Sequence, residues 1–304
     1  MKVLLLVNTS ASAVTARARV VIQKALAADH DLNVAETSRR GHATRLAQGA
    51  AAAGTDVVVV LGGDGTLNEA ANGLAGSATA LGVLPGGSTN VFARTIAMAN
   101  DPIEATGQLV DALASGRRRR VGMGSVNGRY FLFHVGLGFD AAVVEQVEKR
   151  GALKRYAGHP LFVWAAVVTW LRHYDRSRPR FAVRFGDGAL IDDGYFGICL
   201  KTSPYTYLGN RPFNVAPEAT LDSGLAMVTF RSLTLATILS AAASALGSGR
   251  RLRRNRMIDQ RSNLDSMTVT GHGRFPYQVD GDYLGESDSL TLRYEPDCLE
   301  LIVP

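Results

Sequence analysis

The chain has 304 residues, and 46% of them are hydrophobic, which is sufficient for two domains of ordinary size. The formal net charge is +6, so the composition favours anionic partners such as nucleotide phosphates, a membrane surface or nucleic acid. The two cysteines, Cys199 and Cys298, argue against a disulfide framework and against a cysteine-based metal site. They indicate a reducing compartment, and we expect a cytoplasmic protein.

Strands and helices alternate over the first 120 residues. The apolar run at residues 3–7 is too short for a signal peptide and predicts a first buried strand. The alternation is typical of a doubly wound, parallel α/β sheet, and we assign residues 1–120 to such a domain. Further strands are predicted at residues 33–37, 57–61 and 80–84, with helices at residues 15–28, 43–53, 89–98 and 102–114 and from Leu67 onward.

The pattern changes after Gly116 to short strands separated by turns. A hairpin is predicted at residues 118–135 around Asn127-Gly128, followed by helical segments at residues 141–174 and 233–246. We predict a mainly antiparallel, β-sandwich-like domain over residues 121–297, and a last strand at residues 298–303 that pairs with either domain. The longest apolar stretch, residues 161–171, is about half a bilayer span, so we expect no transmembrane helix.

The most informative motif is VVVVLGGDGTLNE at residues 57–69, which predicts a strand, a glycine-rich turn and a helix. Glycines let the backbone approach a ligand closely, and the amides that open a helix favour an anion. An acid beside a phosphate site, here Asp64, indicates a metal ion or a cationic group. The motif therefore predicts a nucleotide-phosphate site with a metal. In the alternative interpretation, Thr66 and Glu69 only cap the start of the helix, since they have capping-box spacing, and Asp64 is an ordinary turn residue.

A second loop, PGGSTN at residues 85–90, follows the next predicted strand and also leads into a helix. Ligands of open α/β sheets bind at the carboxyl ends of the strands, so two such loops predict a convergent phosphate cradle. Asn8-Thr9-Ser10 and Thr37 follow the first two strands and lie at the same edge. These residues either donate hydrogen bonds to a nucleotide or are ordinary polar loop residues. For residues 88–90, the alternative is that one of them caps the following helix.

The segment Val279-Asp280-Gly281-Asp282 holds two carboxylates, which face the same way if the segment is extended. Such a pair can hold a metal or accept a proton, and a β-turn is the alternative. Arginine clusters at residues 117–120 and 250–256 indicate either a solvated face or contact with anionic lipid headgroups. No nucleic-acid partner is expected, because no recognition helix or aromatic stacking pattern accompanies the arginines. The scattered histidines have no ligand spacing: His134, His159, His173 and His272.

In these motifs the chain resembles the catalytic domain of the diacylglycerol and sphingosine kinases, especially the bacterial soluble lipid kinases. The resemblance rests on RGHATRLA at residues 40–47, GGDGTLNE at 62–69, PGGSTNVFAR at 85–94, VNGRYFLFHVGLGFDA at 126–141 and VDGDYLGE at 279–286. These segments occur in the family's order over essentially the full length.

The resemblance implies an ATP-dependent lipid kinase, with diacylglycerol as the foremost substrate. From the charge of the two arginine clusters we expect peripheral contact with a membrane surface. It implies that Asp64 acts with Mg²⁺ and the phosphates, that Asp280 or Asp282 is the general base, and that Asp222 holds a structural magnesium ion. It also implies that residues 298–304 pack back on the first domain. The implied nucleotide site is lined by Asn8, Thr9, Ser10, Ser12, Thr37, Gly62, Gly63, Asp64, Gly65, Thr66, Asn68, Gly87 and Ser88.

The sequence departs from the family's pattern at several positions. Val91 and Gly122 stand where many members have aspartate, which weakens a shared carboxylate–water–magnesium network. Ser223 replaces the second acid of an Asp-Asp-Gly turn, and Asp282 replaces a glutamate. The loop at residues 8–11 lacks the usual Asn-Pro and glycine. Two functional alternatives stay open: an NAD kinase-like enzyme and a non-catalytic lipid- or nucleotide-binding regulator. The oligomeric state also stays open, with a homodimer as one candidate.

Overall fold

The computed structural model describes residues 1–150 and 161–304, which divide into two compact units. Unit 1 consists of Met1–Met123 and Glu295–Pro304, and unit 2 consists of Gly124–Tyr294. The predicted helical segment at residues 141–174 and His159 fall partly or wholly outside the described residues.

Unit 1 is an α/β unit in which strands and helices alternate. The alternation follows from short apolar runs for the strands and alanine-rich amphipathic segments for the helices. Its elements are β1 (Lys2–Val7), α1 (Ala16–Ala27), β2 (Asp31–Glu36), α2 (His42–Ala52), β3 (Val57–Gly62), α3 (Asp64–Leu74), β4 (Ala80–Pro85), α4 (Val91–Thr95), α5 (Pro102–Ala114), the start of β5 (Arg118–Val126) and the end of β16 (Asp282–Ile302).

The sheet of unit 1 is parallel, with the strand order β2-β1-β3-β4-β16. Every residue of β3 and β4 is buried, as expected for central parallel strands covered by helices. The last strand joins this sheet beside β4, with Glu300 opposite Ala80 and Leu301 opposite Leu81. The predicted α/β fold class is thus confirmed, and residues 298–302 pair within the first unit.

Unit 2 consists mainly of antiparallel strands, and its described residues also form three α-helices. The hairpin predicted around Asn127-Gly128 joins β5 to the next strand, and both turn residues have positive φ. The further elements are β6 (Arg129–Phe131), β7 (His134–Gly138), α6 (Phe139–Glu148), α7 (described over residues 161–168) with a π-helical end (Thr169–His173), β8 (Phe181–Phe185), β9 (Leu190–Gly194), β10 (Phe196–Leu200), β11 (Thr206–Leu208), β12 (Arg211–Phe213), β13 (Leu225–Phe230), α8 (Leu235–Leu246), a 3₁₀ turn (Arg250–Arg254), β14 (Ile258–Leu264) and β15 (Ser266–Val279).

The two faces of the unit 2 sheet bury different clusters, because alternate residues of a strand point to opposite faces. Cys199 of β10 and Met227 of β13 lie in a cluster with Phe181 and Phe275. Their neighbours Ile198 and Val228 lie in a second cluster, which is covered by α8. A third cluster, under α6 and α7, shares Phe196 with the second. In the part of unit 2 that the structure describes, α6, α7 and α8 therefore lie on one face of the sheet.

Two predicted helices in unit 1 have wrong boundaries. Helix α3 begins at Asp64 instead of Leu67, because a glycine in the first turn costs little where the amides have no partners within the helix. Helix α4 covers only Val91–Thr95 instead of residues 89–98, because Asn90 before it and Ala97 after it have positive φ. The helix at Pro102–Ala114 is confirmed at both ends, with the Asp101 carboxylate accepting from two amides.

Candidate functional site: two glycine turns and a buried carboxylate turn

The two glycine-rich turns of unit 1 lie against each other at the carboxyl ends of β3 and β4. The Gly86 amide donates to the Gly62 carbonyl at 2.8 Å, and the Ala13 amide donates to the Gly86 carbonyl at 2.8 Å. A Cβ added at Gly86 would lie 2.8 Å from both the Cα and the N of Gly62, closer than carbon atoms approach. Glycine at position 86 is therefore required for the two turns to meet.

Helix α3 starts directly in this contact. Gly63 is its N-cap residue, and Asp64, Gly65 and Thr66 form its first turn, where backbone amides have no partner within the helix. The Asn8 side chain donates to the Thr66 hydroxyl at 2.8 Å and so ties the loop after β1 to this turn. The arrangement points amides and the positive end of a helix dipole at the sheet edge, which is suited to a phosphate group.

Asp64 joins the two turns by capping a helix. One carboxylate oxygen accepts from the Val91 amide at 3.0 Å, and the other accepts from the Phe92 amide at 3.1 Å, both at the start of α4. Burial raises the pKa of Asp64, and the two amide hydrogen bonds act in the opposite direction. The carboxylate thus fixes the second turn relative to the first.

This part of the protein does not by itself build a magnesium site. Both oxygens of Asp64 already accept from amides. No group of three or more His, Cys, Asp or Glu side chains in metal-binding range occurs among the described residues. Magnesium commonly binds through one or two carboxylates together with substrate phosphates, so the residues fit an ion that arrives with a nucleotide.

Most of the other predicted nucleotide residues lie at the same edge of the unit 1 sheet and are at least partly exposed. The Thr37 amide donates to the Val7 carbonyl at 2.9 Å, so the loops after β1 and β2 run together. Asn68 differs, because it is only 2% exposed within α3. The partly or fully exposed residues are Asn8, Thr9, Ser10, Ser12, Thr37, Gly63, Asp64, Gly65, Thr66, Gly87 and Ser88.

Glu69 caps helix α2, not its own helix. Its carboxylate accepts from the Gly41 amide at 2.7 Å and from the Ala43 amide at 3.1 Å. The capping-box alternative for α3 is therefore wrong, since Gly63 is the N-cap residue there. The contact also joins the segments at residues 40–47 and 62–69, which lie in helices α2 and α3 and pack against each other.

In unit 2, Asp280 and Gly281 form the two-residue turn that joins β15 to β16. Both have positive φ, 48° and 85°, and Val279 pairs with Asp282 across the turn. The turn interpretation of this segment is therefore confirmed. The expectation that Asp280 and Asp282 face the same way is wrong, because it assumed an extended backbone at Asp280.

The two carboxylates have different surroundings. Asp280 is 5% exposed, and its oxygens accept from the amides of Leu132, Phe133 and His134 at 2.8–3.1 Å. Asp282 is partly exposed, with an oxygen 3.7 Å from the Arg129 guanidinium. The geometry gives Asp280 a structural task and leaves Asp282 at the surface of unit 2.

A buried polar network supports this turn. The Gln278 side chain accepts from the Gly281 amide at 2.8 Å and donates to Asp140 at 2.7 Å. Asp140 also accepts from the Tyr205 hydroxyl at 2.5 Å. Burial raises the pKa values of Asp140 and Tyr205, and burial lowers the pKa of His134, which stacks on Tyr205, to about 3.

Sequence reasoning missed this network. Asp140 lies inside a segment that carries the family resemblance, and Gln278 directly precedes the acidic turn, so both positions could have been found. Tyr205 follows a proline in a loop, and nothing in the neighbouring sequence indicates that it belongs to the network.

The loop around Asp222 already contains a cation. Lys201 is 1% exposed, and its ammonium donates to the carbonyls of Thr220, Leu221 and Ser223 at 2.9–3.0 Å. Three converging carbonyl oxygens are typical of a site for a hard cation, and here the lysine supplies that charge. Asp222 itself is exposed, and its role as a metal ligand stays a prediction.

The two arginine clusters lie in different surroundings. Arg120 on β5 donates to the Asp297 carbonyl at 2.7 Å and lies 3.9 Å from Glu300, so the first cluster takes part in holding the last strand. Arg250–Arg254 form an exposed 3₁₀ turn in which only Leu252 is buried. Of the described histidines, His134 is buried, whereas His173 and His272 are exposed. In the described part of the chain, no helix combines the length and the apolar character needed to cross a bilayer.

Comparison with known proteins agrees with this geometry. Residues 2–126 match the family model of the diacylglycerol kinase catalytic domain. The diacylglycerol kinase of Bacillus subtilis (strain 168) is 29% identical over 268 residues, which are 87% of this chain and 84% of that enzyme. The diacylglycerol kinase of Staphylococcus aureus (strain JH9) is 36% identical over 107 residues, which are 34% of this chain and 33% of that enzyme.

Solved structures share the fold. A crystal structure of a diacylglycerol kinase from Bacillus anthracis str. Sterne superposes with a TM-score of 0.70 at 20% identity, covering 100% of this chain and 97% of that chain. A second crystal structure from that organism, of a candidate diacylglycerol kinase, superposes with a TM-score of 0.79 at 22% identity. The match covers 100% of this chain and 95% of that chain. An NAD kinase from Archaeoglobus fulgidus gives 0.56 at 10% identity, with 99% and 93% covered.

The resemblance to the diacylglycerol and sphingosine kinases is thus confirmed. The matched segment ends within β5 and contains both glycine turns with Asp64. Residues 2–126 are similar to the diacylglycerol kinase catalytic domain, and the chain is an enzyme of the kinase class.

Proposed function

We propose that this kinase transfers the γ-phosphoryl group of ATP to the hydroxyl of a lipid, with diacylglycerol as the foremost substrate and phosphatidic acid as the product. The observation that carries the proposal is the contact between the turns at Gly62 and Gly86 at the start of α3. Such a pair of turns offers backbone amides to a triphosphate. Curated relatives that match this chain carry the name diacylglycerol kinase, which supports a lipid acceptor.

The phosphates of ATP would lie against residues 62–66 and 87–88, with the loops after β1 and β2 around the rest of the nucleotide. Magnesium would enter with ATP, held chiefly by phosphate oxygens and water, and it would neutralise the charge of the phosphates. Asp64 would belong to this site through the helix that it caps and through its negative charge beside the ion. Most of the rate would come from positioning and electrostatics, because phosphoryl transfer needs little covalent assistance.

Asp282 would be the general base. The lipid oxygen attacks the γ-phosphorus in line, a new O–P bond forms, the bond to the β–γ bridging oxygen breaks, and ADP leaves. The hydroxyl proton passes to the Asp282 carboxylate. Asp280 is the weaker candidate, because its oxygens are engaged by three backbone amides in a buried place. Asp282 is partly exposed and can meet a substrate.

The acceptor would be taken from a membrane surface that the protein contacts from the aqueous side. Its acyl chains would enter unit 2 near the apolar helix at residues 161–171, whose inner side packs on the third cluster. Phe139 and Tyr174 belong to that cluster, so the wall of such a groove would be aromatic.

The test is a transfer assay with γ-labelled ATP and a panel of diacylglycerol, monoacylglycerol, ceramide, sphingosine, prenols and NAD in mixed micelles. We expect label in diacylglycerol first, and an Asp282→Asn variant with kcat lowered about a hundredfold or more, as for loss of a general base. Asp64→Asn should raise the KM for ATP and lower kcat. Asp288→Asn is the matched control, because Asp288 is an exposed aspartate on the same strand, and it should leave both constants unchanged.

Three outcomes would contradict the proposal. Transfer to NAD alone would indicate an NAD kinase-like enzyme. ATP or lipid binding without any labelled product would indicate a regulator that has lost turnover. Equal activity of the Asp64 and Asp282 variants and the unmodified protein would remove the assigned roles.

A further inference from the structure

Two helices of unit 2 have several large apolar side chains that are exposed. On α7 and its π-helical end, Val163, Val167 and Leu171 recur every four residues and form one stripe, as expected for one side of a helix. Helix α8 has a similar outward stripe that includes Leu235 and Leu239. We call these residues the α7/α8 face; each is 42–59% exposed: Val163, Trp164, Val167, Leu171, Leu235, Leu239 and Leu246.

The two stripes belong to the same side of unit 2. The inner side of α7 packs on the third cluster, and the inner side of α8 packs on the second cluster through Ala241 and Ala245. Both clusters include Phe196, so both helices cover one face of the sheet. The Trp170 indole donates to the Leu233 carbonyl at 3.0 Å and ties the end of α7 to the start of α8. The outward residues of both helices therefore point away from the same sheet face.

The surroundings of this face are cationic. No aspartate or glutamate occurs at residues 161–173 or 235–257, and Asp175, just past the end of α7, lies 3.5 and 3.6 Å from the guanidinium groups of Arg178 and Arg180. The 3₁₀ turn Arg250–Arg254 follows α8 directly, and Arg250, Arg251, Arg254 and Arg256 are exposed. At the other helix, the guanidinium of Arg150 lies over the Trp164 ring and that of Arg176 over the Trp170 ring, 4.3 and 3.9 Å from the ring centres. Apolar residues with an arginine rim and interfacial tryptophans are typical of surfaces that lie on anionic membranes.

We propose that the α7/α8 face docks on an anionic phospholipid bilayer, with its leucines and valines at the level of the acyl chains and the arginines of residues 250–256 among the headgroup phosphates. The proposal rests on the proposed lipid-kinase function, because that function places the acceptor in a bilayer. A second copy of the chain fits less well. In a two-fold dimer the same face meets itself, so the exposed arginines of residues 250–256 would lie near like charges, and residues 235–257 contain no carboxylate with which to pair them.

The decisive experiment is sedimentation of the full chain with vesicles of phosphatidylcholine alone and of phosphatidylcholine mixed with phosphatidylglycerol, without ATP or acceptor. The unmodified protein should bind the mixed vesicles at least tenfold more tightly, and salt should weaken this binding. The double variant Leu171→Glu/Leu239→Glu should lose at least tenfold in affinity. So should Arg251→Gln/Arg254→Gln, which leaves the apolar residues intact.

The matched control is Leu190→Glu, because Leu190 on β9 is also half exposed but lies outside the face. It should bind vesicles as the unmodified protein does, and thermal unfolding of each variant verifies its fold. Equal binding by the double variants and the control would overturn the proposal, as would a lack of binding by the unmodified protein. A dimer that the leucine double variant dissociates, without vesicle binding, would assign the face to self-association instead.

Kinase function is scored separately, through turnover of the unmodified protein on a water-soluble short-chain diacylglycerol without vesicles. Turnover without vesicle binding overturns only the docking proposal. Vesicle binding that depends on the face, without turnover on any acceptor, overturns only the proposed kinase substrate.

Discussion

Asp280 shows that a carboxylate expected to act as a general base can instead have a structural role. It carries a left-handed backbone conformation and accepts three amides from the segment that leads into β7. Because these donors belong to residues about 146–148 positions away in sequence, the side chain closes a long-range contact inside unit 2.

We predict that Asp280→Asn lowers the free energy of unfolding by about 2–4 kcal/mol, because an amide NH₂ replaces an acceptor among buried donors. Urea unfolding measures this loss. Asp282→Asn should change the free energy of unfolding by less than about 0.5 kcal/mol, as is usual for partly exposed sites. The reverse order of the two stabilities would contradict the division of tasks between the two acids.

His134 should make stability depend on pH. Burial holds its pKa at about 3, so the ring stays neutral in the folded protein, whereas it titrates near 6.5 when unfolded. The unfolded state then binds the additional proton, so this contribution is fully present above pH 6.5 and is lost as the pH falls towards 3. The groups that face the ring are Gln278, Tyr205 and, through Gln278, Asp140.

The measurement is the free energy of unfolding of the unmodified protein and of His134→Asn between pH 7 and pH 5. We expect the difference between the two proteins to shrink by about 1.4 kcal/mol per pH unit below pH 6.5. The raised pKa values of Asp64 and Asp140 act in the opposite direction, but both groups occur in both proteins and their effect cancels. A difference that does not change with pH would show that the ring has the same pKa in the folded and the unfolded protein, and a difference that grows as the pH falls would show that the ring is charged in the folded state.

At the scale of single residues, the sequence predicts which residues belong to a site better than it predicts the groups to which they form hydrogen bonds. The acidic residues at 64, 280 and 282 could be selected from their motifs alone. Their hydrogen-bond partners could not be predicted, because these depend on tertiary contacts that no local pattern contains. Asp64 accepts from the amides of Val91 and Phe92, and Glu69 caps a neighbouring helix.

Among the elements, the two glycine turns are the pair whose packing is most restrictive. A methyl group at Gly86 would collide with the backbone of Gly62 and with a Val14 methyl. We predict that Gly86→Ala costs about 1–3 kcal/mol, the usual cost of overpacking, and that it raises the KM for ATP several-fold because the amides shift.

The matched control for this substitution is Gly107→Ala in the interior of α5. An added Cβ there has no neighbour within 4 Å, and alanine is the better helix former. This variant should gain roughly 0.5–1 kcal/mol and keep its KM. An unchanged KM in both variants would mean that the nucleotide does not contact the turns.

Lys201 is the internal cation of the loop between Thr220 and Ser223. We predict that Lys201→Met lowers the free energy of unfolding by about 3 kcal/mol, because three partly buried carbonyls lose a charged donor. The melting temperature of the unmodified protein should be the same with magnesium and with a chelator. A clear rise of the melting temperature with magnesium, in the absence of nucleotide, would show that an ion binds this loop despite the lysine.

Elements with strong local signals are those that the sequence predicted best. The Asp101-Pro102 start of α5 and the Asn127-Gly128 turn each act within four residues, and both were found in place. The start of α3 and the length of α4 were missed. Their ends are fixed by Gly63 in an extended conformation and by Asn90 in a left-handed one, and both conformations depend on the packing of the turns.

For the molecule as a whole, the chain returns to its first unit at the end. Leu299, Leu301 and Ile302 are at most 2% exposed, and β16 completes the parallel sheet beside β4. The sequence left two partners for this strand open, because an apolar run does not specify which sheet edge it joins.

We predict that Leu301→Ala destabilises unit 1 by about 2–5 kcal/mol, as for other buried leucines. Val303→Ala, at a partly exposed residue just past the strand, should cost less than about 1 kcal/mol. Hydrogen exchange of the β3 and β4 amides reports the change within unit 1. Equal protection of these amides in Leu301→Ala and the unmodified protein would show that the last strand is dispensable for this unit.

During synthesis, the ribosome releases residues 1–123 long before the strand that finishes their sheet, because residues 124–294 are translated in between. At about 5–20 residues per second, this interval lasts roughly 9–34 s. Throughout that time the edge of β4 is exposed to any other strand in the cell, including the β4 of another nascent chain. A chaperone that binds the emerging polypeptide, or a pace of translation matched to the folding of unit 2, would therefore influence the yield of active enzyme.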